Sequence, residues 1–125
     1  MQISKTIPYT REELNKIIKK IKGNVELVFD EKKLTEDEHE IINQYYSIKT
    51  LDYLSFEEEF LEVVREFKAK IIRGNESRLV MSSKDALEFV NKLIDKLKLY
   101  DFWIVNDEKI VCLYHEHEIC VINRK

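Results

Sequence analysis

The chain is poor in the residues that interrupt or staple a fold. Two glycines and one proline in 125 residues stand far below the usual roughly 7% and 5%. That excludes collagen-like repeats and Gly- or Pro-rich linkers, and it implies short polar connections in which Asn and Asp take the unusual backbone angles. Two cysteines, Cys112 and Cys120, are too few for a disulfide framework. Reduced thiols are the expectation, although the two could face each other across a hairpin. No apolar run approaches the roughly 18 residues that span a bilayer. The first ten residues lack the continuous apolar stretch of a secretory signal, so no membrane association and a cytoplasmic location are expected. Glycine-rich phosphate loops, nucleophile elbows, paired CxxC elements and HExxH are also missing. No catalytic residue, metal ligand or cofactor is therefore assigned, and a non-enzyme is favoured over an enzyme.

What is present suffices for one folded unit. A 44% apolar share, with aromatics along the whole length, separates the chain from disordered sequences. Its length fits a single α+β domain over residues 1–125. Lysine, isoleucine and glutamate dominate while alanine occurs twice, a bias expected of an AT-rich genome such as that of a low-GC bacterium or its mobile elements.

Four helix starts share one device, a Ser or Thr cap with an acid three residues on. The pairs are Thr10 with Glu13, Thr35 with Glu38, Ser55 with Glu58 and Ser82 with Asp85. Helical periodicity follows each cap. The first helix is expected over residues 11–22 with Leu14, Ile17, Ile18 and Ile21 on one face and Gly23 as its terminator. The second is expected over 36–46. The third carries the stripe Phe56, Phe60, Val63, Val64, Phe67 and Ile71, with Lys70 and Arg73 at its negative end and Gly74 closing it. The fourth spans 83–99 with Leu87, Val90, Ile94 and Leu97 together. Strands are expected at 25–29 and 78–81, and segment 48–54 is ambiguous. Residues 102–105, 110–115 and 119–123 read as an antiparallel meander. Apolar residues on both of its faces imply helices on one side and partial cover on the other. The predicted architecture is about four helices on a small, mainly antiparallel sheet.

The sharpest feature is the segregation of charge. From Asp30 to Glu62, eleven acids face Lys32, Lys33 and Lys49, a net −8, whereas the first 29 residues sum to +3. If these acids meet on one surface, they attract a basic protein and speed its docking. The candidate contact set is Glu36, Asp37, Glu38, Glu40, Asp52, Glu57, Glu58 and Glu59, with Tyr45, Tyr46 and Tyr53 as aromatic anchors. The competing explanation is that the acidic first turns of two helices are merely neighbours in sequence, with the tyrosines in the core.

Weaker constellations stand beside it. His115 and His117 share one strand face, but a zinc site needs three or four ligands and only Cys112 and Cys120 are nearby in sequence. Glu31-Lys32-Lys33 faintly resembles the carboxylate-x-lysine element of metal-dependent nucleases, yet no convincing earlier acid from a neighbouring strand precedes it to hold the metal. Lys16, Lys19, Lys20 and Lys22 read as a solvated helix face, because the chain is acidic overall and direct nucleic-acid binding is disfavoured. The class expected is a non-catalytic acidic binding or inhibitor protein, in concrete form a bacterial toxin-immunity protein. A phage- or mobile-element-encoded inhibitor of a defence nuclease and a small enzyme with a fold-assembled site are the alternatives. Composition does not set the oligomeric state.

Overall fold

The computed structural model describes residues 3–44, 57–75, 78–97, 101–114 and 118–124. Among these residues seven strands form one fully antiparallel sheet: β1 (Ile3–Pro8), β2 (Asn24–Val28), β3 (Arg73–Asn75), β4 (Arg78–Ser82), β5 (Phe102–Val105), β6 (Lys109–Tyr114) and β7 (Glu118–Asn123). Their spatial order is β1-β7-β6-β5-β2-β4-β3. The expected meander is the β5-β6-β7 run. β1 and β3 form the two edges. Neither was expected, because β1 mixes polar residues with a proline and β3 has only three residues.

Among the described residues, four α-helices complete the α+β architecture: α1 (Arg11–Lys19), α2 (Glu36–Asn43), α3 (Glu57–Glu66) and α4 (Ser83–Leu97). Three of the four expected caps are described. Thr10 accepts from the Glu13 N–H at 3.1 Å and Ser82 from the Asp85 N–H at 3.1 Å. Thr35 makes the full reciprocal pair, accepting from the Glu38 N–H while Glu38 Oε1 accepts from the Thr35 N–H at 2.8 Å. Ser55 lies outside the described residues, as do segment 48–54, Tyr45 and Tyr46.

The third helix is shorter than its periodicity suggested. α3 stops at Glu66, and a 3₁₀ turn (Lys68–Lys70) leads into β3. Arg73 and Gly74 are thus strand residues, not a helix terminus. Gly74 serves close approach instead: a Cβ there would lie 2.6 Å from Leu79 Cδ2 and 3.1 Å from the Arg78 carbonyl oxygen. Gly23 does take the left-handed angle expected of it, at φ +82°. It sits beyond the end of α1, however, and its carbonyl accepts from the Ser83 N–H where β2 runs beside the start of α4.

Strand alternation divides the core between the two faces of the sheet. On the first face Val25, Leu27, Leu79, Met81, Phe102, Ile104, Val111, Leu113 and Ile119 meet Leu14 and Ile18 of α1 and Phe89, Val90, Leu93 and Ile94 of α4. Phe29 stacks on Phe102 at 5.5 Å, and Phe67 meets the Phe89 edge at 5.4 Å, which brings the end of α3 into the same cluster. Asn91 fastens α4 to α1 by donating to Asn15 Oδ1 while accepting from Arg11. On the second face Val28, Trp103, Val105, Ile110, Cys112, Cys120 and Ile122 meet Leu34 and the α2 residues Ile41 and Ile42. Both faces are thus covered, as the apolar strands required.

Candidate functional site

The acids singled out by sequence belong to helices on opposite faces of the sheet. α2 seats Ile41 and Ile42 on the second face, whereas α3 leads Val63, Val64 and Phe67 into the core of the first. Glu36, Asp37, Glu38 and Glu40 therefore share one side of the molecule, and Glu57, Glu58 and Glu59 belong to a helix on the other. Asp52 and Tyr53 lie outside the described residues, with Tyr45 and Tyr46.

Within α2 the four acids have different fates. Glu38 is buried, at 3% exposure. Its position follows from helical spacing, since residues 38, 41 and 42 fall on one face, and Leu34 before the helix joins the same apolar cluster. Arg78 of β4 reaches it with both terminal nitrogens, Nη1 to Oε1 at 2.7 Å and Nη2 to Oε2 at 3.1 Å. The same guanidinium donates through Nε to Glu26 Oε2 at 2.8 Å and through Nη1 to the Lys33 carbonyl at 2.9 Å. Burial on its own would raise the Glu38 carboxyl. The Arg78 hydrogen bonds, the Thr35 N–H and the charges of Arg78 and Arg124 outweigh it and hold the group below the ordinary carboxylate range. For Arg78, burial works toward deprotonation, and its bonds to Glu38 and Glu26 reverse that and raise it. This cluster is a mount for α2, since its charges are spent inside the molecule.

Asp37 is more exposed and pairs with Arg124 at 2.9 Å, and Arg124 also donates to the Asn106 carbonyl. Arg124 thus anchors the second point of α2 from the end of β7. Glu36 and Glu40 remain exposed and carry no ion pair among the described residues. They stand four residues apart, on one outward helical face. The Glu31 carbonyl accepts from His39 Nε2 at 3.0 Å, so His39 too is engaged locally.

The other acidic ridge is offset in a similar way. Glu66 pairs with Lys92, and Lys70 bridges to Glu88 at 3.0 Å and Asp85 at 3.9 Å, tying the α3 end to α4. The Glu88 hydrogen bond and charge raise the Lys70 ammonium. Glu58 and Glu62 are exposed.

Beside α2, the β3-β4-β2-β5 part of the second face forms two adjoining clefts of ≈ 380 and ≈ 290 Å³, with Glu26, Arg73 and Val80 common to both. Lys22, Asn24, Asp107 and Glu108 line the larger. Its charges are mixed, and Arg78, which lines the smaller cleft, is already bonded to Glu26, Glu38 and the Lys33 carbonyl. Among the described residues no group of three His, Cys, Asp or Glu side chains is placed to hold a metal ion. His115 and His117 lie outside the described residues. No helix among the described residues is long and apolar enough to cross a membrane.

Sequence reasoning missed Arg78 and Glu26 altogether, and it read Glu38 as a surface charge. The available signal was the stripe containing Glu38: an acid on the apolar face of a helix requires a cation opposite it. Searches find no matching family model, no matching curated protein and no matching solved structure.

Proposed function

We propose that this chain is a non-catalytic binding protein that engages a basic protein partner through the outward face of α2. Its concrete form in this reading is a toxin-immunity protein. The observation that carries the proposal is the contrast within α2. Glu38 and Asp37 are consumed by arginines, while Glu36 and Glu40 are held outward on a helix mounted at two points. A firmly mounted pair of unpaired carboxylates keeps its field directed at solvent without reorganising, which favours electrostatic steering of a cationic surface. The charges on α3 belong to the opposite side, so a single rigid partner meets one ridge and not both. α2 is preferred because its mount fixes it to the sheet, whereas Glu66 near the end of α3 is already neutralised by Lys92.

The test is complex formation with the protein encoded by the adjacent reading frame, followed by size exclusion and stopped-flow association at low and high salt. Glu36→Lys with Glu40→Lys should slow association at low salt by about tenfold or more, and high salt should erase most of the difference. Glu58→Lys with Glu62→Lys should leave the rate close to that of the unaltered protein. Equal slowing by both pairs, or no salt dependence in the unaltered protein, would overturn the assignment to α2.

A further inference from the structure

The chain contains only two cysteines, and the register places them directly opposite one another: Cys112 on β6 pairs with Cys120 on β7. A residue within a sheet has just two directly opposite neighbours, so chance rarely puts a chain's only two thiols in that relation. Both project to the second face, both are fully buried, and they carry thiols rather than a disulfide. The pairing type follows from the same ladder. The Arg124 N–H donates to the Glu108 carbonyl at 2.8 Å, and these residues continue the β6-β7 register by one step beyond Lys109 and Asn123. Opposite pairs alternate between hydrogen-bonded and open, and two-residue steps from Glu108 reach Cys112. Cys112 and Cys120 are therefore a hydrogen-bonded pair.

We propose that Cys112 and Cys120 form a reversible redox pair, closed by hydrogen peroxide and reopened by thiols. In a hydrogen-bonded pair the Cα atoms stand about 5.5 Å apart, inside the roughly 4.4–6.8 Å that a disulfide spans. The Cβ atoms of opposite residues stand roughly 4.5–5.5 Å apart, whereas a disulfide requires roughly 3.5–4.5 Å. Closure thus draws the two Cβ atoms together by about 1 Å or more, and a bond held under that distortion is readily reduced. The geometry favours a labile link over a permanent staple.

Access to the buried thiols comes from local opening. β7 lies second from the sheet edge with only β1 outside it, so release of one edge strand reaches Cys120 without unfolding the centre. Peroxide is small enough to use such an opening. One thiol loses its proton and its sulfur attacks peroxide, forming a sulfenic acid as the O–O bond breaks and hydroxide leaves. The second thiolate attacks that sulfur, the S–S bond forms, and a second hydroxide leaves. The two released protons neutralise the hydroxides, so two thiols and one peroxide become one disulfide and two waters.

Trp103, the only tryptophan, stands directly opposite Cys112 on β5 and is fully buried. A neighbouring disulfide quenches indole emission, so the molecule carries its own reporter. Folded protein should be treated with peroxide in non-denaturing buffer, denatured, and its remaining thiols counted with an alkylating label. The expected result is loss of both labels, monomeric protein on a non-reducing gel, and a drop in Trp103 emission. Dithiothreitol should restore the labels and the emission together. Cys112→Val and Cys120→Val should each show no reversible emission change. Full labelling after peroxide, covalent dimers in place of the internal bond, or label loss that dithiothreitol does not reverse would overturn the proposal. Because the measurement is made on the unaltered protein, it stands even if a valine variant fails to fold, and it is independent of any partner.

Discussion

The two faces of the sheet hold their helices by different physics. On the first, α1 and α4 rest on an apolar layer centred on Phe29, Phe89 and Phe102, and the polar links between them lie at the rim around Asn91. On the second, α2 brings a smaller apolar set, and two arginines from β4 and the end of β7 fix its acids. A helix of eight residues cannot bury enough apolar surface to define its own position sharply, so directional charge-assisted bonds supply the register. The cost is exposure to pH, because the Glu38 carboxyl held low by Arg78 loses its contribution in acid.

The largest effect should come from breaking the apolar face. Phe89 is fully buried, and Phe89→Ala should lower unfolding free energy by about 4 kcal/mol in urea denaturation, at neutral and mildly acidic pH alike. Arg78→Met should cost about 3 kcal/mol, because it strands the Glu38 carboxylate in the core. A smaller effect, near 1 kcal/mol, is expected for Thr35→Ala, which removes the reciprocal cap of α2. The smallest is expected for Asp37→Ala, at most about 0.5 kcal/mol, since its carboxylate is well exposed.

Acid sharpens the contrast further. The Glu38 carboxyl titrates lower in the folded chain than in the unfolded one, so the unfolded chain binds its proton first as pH falls. Its contribution is complete above the ordinary carboxylate value and is lost as pH falls through the depressed folded value. Denaturation midpoints followed from neutral pH into that acid range should decline in the unaltered protein and decline less in Glu38→Gln. Parallel curves would show that Glu38 is not the group responsible.

Local signals in the sequence were reliable where a residue's role depends on its near neighbours. Thr10, Thr35 and Ser82 cap as their spacing required, and the β-branched run from Phe102 to Asn123 forms the meander. Long-range relations were not legible. That α2 and α3 lie on opposite faces depends on the β2-β4 and β2-β5 pairings, which no local pattern encodes. The acidic segment therefore looked continuous on paper, and the fold divides it. β3 escaped notice because three residues carry no readable alternation, and because Ile71 and Gly74 extended the apparent period of the preceding helix. The cysteine pairing was legible only as a possibility of the hairpin, since one residue of slippage would have placed the two thiols on opposite faces.

α2 is held by the Arg78–Glu38 pair and not by its apolar contacts alone, and a double-mutant cycle measures that directly. Unfolding free energies for Arg78→Met, Glu38→Leu and the double variant should show each single change costing more than the pair together, with a coupling of about 2 kcal/mol or more. Costs that simply add would contradict it, and α2 would then be seated by Leu34, Ile41 and Ile42 alone.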